Sequence, residues 1–237
     1  MELTMFERLL QLPLFQGLSI QELSDVMAHV RLNFVNYHAG DEIVVQGEPC
    51  KSLIYIINGD VCSEYRDAEH CLVVKEMLPK IGVIEPYNMF GMFQRYSRTY
   101  SFSTDGITLA IDKPVVLQRL MASTIVKINL LNIVCNRYQQ TSHLLRNHPE
   151  QTISDKIHKF ILAHSSIPRG YKEIHIKMTD LASHIHETRL NVSQTLNDMQ
   201  KQGIVSLRRG CIVIPDIKAF TLSSTSYRHL QASDGKR

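Results

Sequence analysis

Between Leu120 and Asn147 the chain runs for 28 residues without a glycine or a proline. Over that run Ile125, Ile128, Leu131, Asn132, Cys135, Tyr138, Ser142 and Leu145 recur at steps of three and four, the spacing of one face of an α-helix. At the standard rise such a helix is about 40 Å long. That is more than a local core needs in a chain of 237 residues. The stripe is therefore read as a dimer seam, mixed in character because Asn132 and Ser142 are polar. His148-Pro149 closes the helix, since proline disfavours helical geometry in the residue before it, and a hinge is expected there.

The chain before this helix has a different texture. Phe6–Leu10 and Ile20–Val30 read as short amphipathic helices around a Pro13–Gly17 break, with Ser19 and Glu22 at capping-box spacing. From Val35 onward short apolar runs alternate with turn signals. The runs are Ile43–Val45, Leu53–Ile57, Leu72–Val74, Ile107–Ala110 and Val115–Leu117; the signals include Asn58-Gly59-Asp60 and Thr104-Asp105-Gly106. Many short strands so punctuated predict a β-barrel or sandwich.

After the hinge, Ile153–His164 reads as a helix and Ile174–Ile176 as a strand. Thr179 is expected to cap a short helix over Leu181–Ile185, with Asp180 adding negative charge at its positive end. Thr188 caps a second helix that runs to about Gln202. Two β runs, Ile204–Leu207 and Cys211–Ile214, follow around Arg208-Arg209-Gly210. Helix, tight turn, capped helix and basic hairpin form the order of a winged helix-turn-helix. Arg189 and Gln194 offer bidentate hydrogen bonds to base edges, flanked by Leu190, Asn191 and Ser193. Thr179, Thr188, Arg208 and Arg209 suit phosphate contacts.

Charge supports that division. Residues 1–118 hold 9 Lys/Arg against 15 Asp/Glu, whereas residues 151–220 hold 10 against 6, so only the C-terminal part is basic. No run of about 18 apolar residues marks a membrane span, and the N-terminus lacks a basic leader pattern; a cytoplasmic protein without a membrane partner is expected. The five cysteines, Cys50, Cys62, Cys71, Cys135 and Cys211, form no CxxC and read as free thiols. No spacing forms a metal-binding or nucleophile motif, so neither a metal site nor an enzyme is expected.

With these elements in place the chain resembles the CRP/FNR family of bacterial transcriptional regulators over about residues 12–220. Leu14–Ser19 with Glu22-Leu23, Gly40–Ile43 with Gln46–Glu48, Tyr55–Val61 and Phe90-Gly91 carry the resemblance in the N-terminal half. Thr188-Arg189 carries it in the C-terminal half. The resemblance implies an α+β protein: an N-terminal cyclic-nucleotide-binding-like β-roll (double-stranded β-helix or jelly roll, 1–118), a dimerisation helix and hinge (119–148), and a winged helix-turn-helix (149–220). Residues 221–237 are expected to form a flexible tail. It further implies a homodimer on a two-fold symmetric DNA operator, with RNA polymerase as a partner if the protein activates. A cyclic-nucleotide-binding module acting on a protein partner is the alternative.

By the same resemblance, effector contacts fall on Gly91, Met92, Arg98, Thr99, Thr141 and Ser142. The family's ribose-holding acid is Met92 here, and a thioether cannot replace a carboxylate as acceptor. Tyr100 stands where the small residue after the phosphate-binding pair is expected. Both departures argue against cAMP. The iron–sulfur cysteine cluster of the oxygen-sensing members is missing, and haem would have to use His29, His38 or His70. In the DNA-reading helix, Leu190 replaces an acid and His186 replaces the usual turn glycine, so the target half-site should differ from the best-known consensus.

Overall fold

A computed structural model describes residues 5–28, 30, 32–69, 71–78, 82–146 and 152–217. The expected hinge at 148–149, the tail 221–237, His29 and His70 lie outside the described residues. In chain order the elements are α1 (Met5–Leu10), α2 (Ile20–Met27), β1 (Asn33–Tyr37), β2 (Glu42–Val44), β3 (Ser52–Asn58), β4 (Val61–Asp67), β5 (Leu72–Met77), β6 (Gly82–Ile84), β7 (Thr99–Phe102), β8 (Gly106–Asp112), α3 (Lys113–Gln118), α4 (Thr124–Arg146), α5 (Ile153–Ala163), β9 (Lys172–His175), α6 (Met178–His184), α7 (Arg189–Lys201), β10 (Ser206–Arg208) and β11 (Cys211–Ile214). They form two compact units, Met1–Ser63 with Leu78–Gln140, and Glu64–Met77 with Thr141–Arg237.

In the first unit an antiparallel sheet in the order β1-β8-β3-β6 faces a second layer built from β2 and β7, with β4 beside β7. Leu53, Tyr55, Ile56, Tyr100, Phe102 and Leu109 are buried in one core, and the Phe15 ring packs at a tilt against Tyr55 at 5.7 Å. The capping box on α2 is present: Ser19 Oγ accepts from the Glu22 backbone N–H, and the Ser19 N–H donates to Glu22 Oε2 at 2.8 Å. Gly59 turns the chain from β3 into β4 at φ +90°. A Cβ there would lie 2.8 Å from the Gly106 Cα, so only glycine fits.

Val115–Leu117, expected as a strand, is helical in α3. Pro114 sits in the first turn, where its fixed φ and missing N–H favour a helix start, and this outweighs the β preference of Val115 and Val116. The long helix begins at Thr124, after a separate 3₁₀ turn at Leu120–Ala122, four residues later than the unbroken run suggests. One of its faces belongs to the roll: Val126 and Leu130 are buried, and Asn129 Nδ2 donates to the carbonyls of Leu14 (3.0 Å) and Gln16 (2.8 Å).

In the second unit β10, β11, β9 and β5 run side by side as an antiparallel sheet, with β4 next to β5. Ile174, Ile212, Ile214, Leu72 and Val74 turn one face of this sheet into a core shared with α5, α6 and α7. Thr152 and Asp155 cap α5 reciprocally. At the end of the β5–β9 pair, Glu76 and Lys172 stand directly opposite each other and are both fully buried.

Candidate nucleic-acid interface

Helix α7 is held by one face and presents the other. Val192, Leu196 and Met199, at four- and three-residue steps, are buried against Leu181, Ala182, Ile185, Ile157 and Ile161. Thr188, Arg189, Leu190 and Gln194 are exposed, Leu190 to 66%, while Asn191 and Ser193 are half-buried. Thr188 caps the helix through its Oγ, which accepts from the Asn191 N–H at 3.2 Å. No acid occupies the first turn itself. Glu187, just before the cap, is engaged by Lys156 Nζ at 2.7 Å; that hydrogen bond holds its carboxyl below the ordinary carboxylate value.

His186 forms the turn between α6 and α7 at φ +54°, in the left-handed region that glycine enters freely. The turn is closed by the His186 N–H donating to the Ser183 carbonyl (3.2 Å) and the Glu187 N–H to the Ala182 carbonyl (2.9 Å). The first helix differs from expectation. It runs over Met178–His184 and its N-cap is Lys177, not Thr179, because Asp180 and Leu181 both donate backbone N–H groups to the Lys177 carbonyl. Thr179 is an exposed residue inside the first turn, its hydroxyl donating to Asp180 Oδ1 at 3.0 Å. The hairpin β10–β11 turns through Arg209 and Gly210, with Arg208 opposite Cys211, and both arginines are exposed. Helix α7 and the hairpin rest on one core, which contains Ile212 and Ile214 alongside Val192 and Leu196.

On α4 the expected seam splits by position. Ile128 (52%), Leu131 (61%) and Tyr138 (69%) are exposed together with Asn132 and Cys135, whereas Ile125 and Ser142 are half-buried. The side chain of Leu145 lies outside the described residues. The exposed members leave an apolar strip on the helix face turned away from Val126 and Leu130.

The expected effector residues of the roll differ in exposure. Gly91 and Met92 are exposed, Met92 to 89%, while Arg98 is buried. Thr99 Oγ1 accepts from the Gln46 N–H at 3.1 Å. Thr141 and Ser142 belong to the second unit. The buried centre of this part of the roll is Glu85, which sequence reasoning passed over. Its carboxylate accepts from Asn88 Nδ2 (2.6 Å), the Ser97 N–H (2.7 Å), Ser97 Oγ (2.6 Å) and the Tyr100 hydroxyl (2.9 Å). Burial, together with that neighbouring carboxylate, pushes the Tyr100 hydroxyl well above its ordinary pKa. Tyr100 therefore serves as a buried donor to Glu85. His38, a candidate haem ligand, is an exposed side chain 3.6 Å from Asp105.

The structure also gathers Glu173, His175 and Cys211, a set that their spacing along the chain does not announce. Among the described residues no helix is long and apolar enough to cross a membrane alone; α3 with its following turn and α4 reach that length and composition only as a sharply bent pair.

Residues 155–221 match the family model of the Crp-like helix-turn-helix domain, so the C-terminal domain is of that type. No curated protein matches the chain. Among solved structures, one from Eubacterium rectale, described as a transcriptional regulator of the Crp/Fnr family, is 18% identical, with 89% of this chain and 96% of that one covered and a TM-score of 0.50. The catabolite activator protein of Thermus thermophilus is 18% identical, covering 88% and 96%, with a TM-score of 0.48. DNR from Pseudomonas aeruginosa is 20% identical, covering 94% and 100%, with a TM-score of 0.43. At such identities the likeness to the Eubacterium structure speaks for the fold: a cyclic-nucleotide-binding-type β-roll followed by a winged helix-turn-helix.

Proposed function

We propose that this chain, which carries the helix-turn-helix domain of the CRP/FNR regulators, is a homodimeric, sequence-specific DNA-binding transcriptional regulator. The observation that carries the reading is the N-terminus of α7. It is capped by Thr188, free of acids in its first turn, and exposes Arg189, Leu190 and Gln194 while Val192, Leu196 and Met199 anchor it. In the major groove Arg189 takes guanine O6 and N7, Gln194 takes an adenine edge, and Leu190 packs on a thymine methyl. Asn191 and Ser193 support the same face. Thr179, Thr188, Arg208 and Arg209 hold phosphates and fix the register.

The exposed strip Ile128, Leu131, Cys135 and Tyr138 on α4 pairs with the same strip of a second chain, with Asn132 at its polar position. Two copies of α7 then address an operator with two-fold symmetry. The β-roll acts as the sensing half. Two observations argue against cAMP as its effector: Met92 supplies no ribose acceptor, and the Tyr100 hydroxyl and the Ser97 N–H are engaged by Glu85. RNA polymerase becomes a partner if the protein activates. No observation favours the alternative of a module acting on a protein partner.

The test is Arg189→Ala on the chain's own site, found by mapping bound DNA genome-wide. Specific affinity should fall by about 1–3 kcal/mol, with discrimination relaxed at one base pair. An equal loss on every sequence would overturn base reading by Arg189.

A further inference from the structure

On strand β9, Glu173 and His175 are two residues apart and so project from the same face of the sheet, opposite the face that Ile174 turns into the core. Strand β11 sets Cys211 directly across from His175. The three ligand-type atoms lie within 4.8 Å of one another: His175 Nε2 is 2.8 Å from Glu173 Oε1, and Cys211 Sγ is 3.7 Å from the same oxygen. His175 Nε2 is enclosed by protein, and although close to the carboxylate it lacks the alignment of a hydrogen bond. A tetrahedral zinc site with ordinary bond lengths separates its ligand atoms by about 3.3–3.6 Å. Movements of roughly an ångström, within side-chain freedom, would bring all three onto one ion.

The geometry points to a three-ligand site for a thiophilic divalent cation, Zn²⁺ by its chemistry, made by Glu173, His175 and Cys211 at the base of the wing. Thiolate, imidazole and carboxylate together are the donor set that zinc accepts and that Mg²⁺ and Ca²⁺, which prefer oxygen alone, do not. Three protein ligands leave the fourth position to water. The charges balance, because a thiolate and a carboxylate offset the two positive charges of the ion. The thiol proton leaves to solvent on binding. Two cations border the site. Lys75 is opposite Glu173 on β5 but is held by Glu64 at 3.2 Å, and Arg208 is opposite Cys211 on β10.

The position has a structural consequence. Cys211 follows the wing turn Arg209-Gly210, and His175 precedes α6 by three residues, so a bound ion cross-links β9 to the wing strand that returns from the tip. Hydrogen exchange at β9 and β11 amides should slow on metal addition. Any effect on DNA affinity rests on the functional reading above, but metal binding is measured without DNA, so the two ideas fail separately.

The experiment uses the reduced, chelator-stripped, full-length protein, titrated with Zn²⁺ by calorimetry and with Co²⁺ by absorption. One ion per chain is expected, with a cobalt–thiolate charge-transfer band, and excess Mg²⁺ should not compete. Cys211→Ser should abolish the band, and His175→Gln and Glu173→Gln should each weaken binding at least tenfold, since even outer-sphere changes at metal sites cost about that much. A combined Cys62→Ser, Cys71→Ser, Cys135→Ser variant should bind as the parent does. Far-UV circular dichroism confirms that each variant folds. Absence of stoichiometric binding to the parent would overturn the proposal, as would retention of the band in folded Cys211→Ser.

Discussion

Removing Glu76 should cost the second unit far more than its ion pair contributes. Lys172 Nζ lies 2.5 Å from Glu76 Oε1, and neither side chain has any exposed surface. At an effective dielectric of about 20, unit charges at that separation attract by roughly 7 kcal/mol. Taking both ions out of water costs several kcal/mol each, so the intact pair stands near balance. Breaking it is different. Glu76→Ala leaves an ammonium in the core that retains the Arg169 carbonyl at 3.0 Å among its acceptors, and stability should fall by about 3–5 kcal/mol.

Lys172→Met should cost less than Glu76→Ala. The Glu76 carboxylate still receives the Ser166 N–H and hydroxyl, each at 2.7 Å. The double variant Glu76→Met, Lys172→Met should return to within about 2 kcal/mol of the parent, its residual cost being the donors of Ser166 left without that acceptor. Urea unfolding followed by far-UV circular dichroism gives the global numbers, since the chain has no tryptophan to report by fluorescence. Hydrogen exchange at the Ser166 and Ile167 amides localises the effect to this pair. A change below 1 kcal/mol in Glu76→Ala, or a double variant as unstable as the worse single one, would refute the reasoning.

Two substitutions probe other regions of the chain. His186→Gly should stabilise the protein by about 0.5–1 kcal/mol, because relief of left-handed strain (about 1–2 kcal/mol) exceeds the added freedom of glycine in the unfolded chain; a lower urea midpoint would contradict this. Ile128→Glu, placed in the exposed strip of α4, should shift sedimentation toward monomer and weaken operator binding in parallel, and an unchanged sedimentation profile would remove the seam assignment.

Where signals were local, the sequence could be read directly. Ser19 with Glu22 and Thr188 ahead of α7 are caps whose partners sit three residues away, and both form. The 3.6-residue period of Val192, Leu196 and Met199 marked the buried face of α7, and with it the exposed face that carries Arg189. Asn58-Gly59 marked a turn that only glycine can make. The misreadings share one origin. In Val115–Leu117 and at Thr179, single-residue preference was overruled by neighbours: Pro114 starts a helix, and the Lys177 carbonyl captures the first N–H groups of α6.

The omissions arise from strand pairing between distant segments. The Glu76–Lys172 pair spans the β5–β9 register, and Glu173, His175 and Cys211 meet across β9–β11. Spacing along the chain does not show that these partners meet. The one available hint was that Glu173 and His175, two apart in a β-rich run, share a face. Glu85 was missed because its donors come from a 3₁₀ turn (Asn88), the approach to β7 (Ser97) and β7 itself (Tyr100), and no local pattern brings these together.

Whether α7 and its wing read DNA is decided by the affinity of the full-length protein for a duplex carrying its mapped site, measured by fluorescence anisotropy across a salt series. Log affinity should fall linearly with log salt concentration. Replacing Arg208 or Arg209 by alanine should make that slope shallower, because one phosphate then lacks its cationic partner. An absence of duplex binding at low salt, or an affinity indifferent to salt, would contradict the assignment of α7 and its wing to DNA.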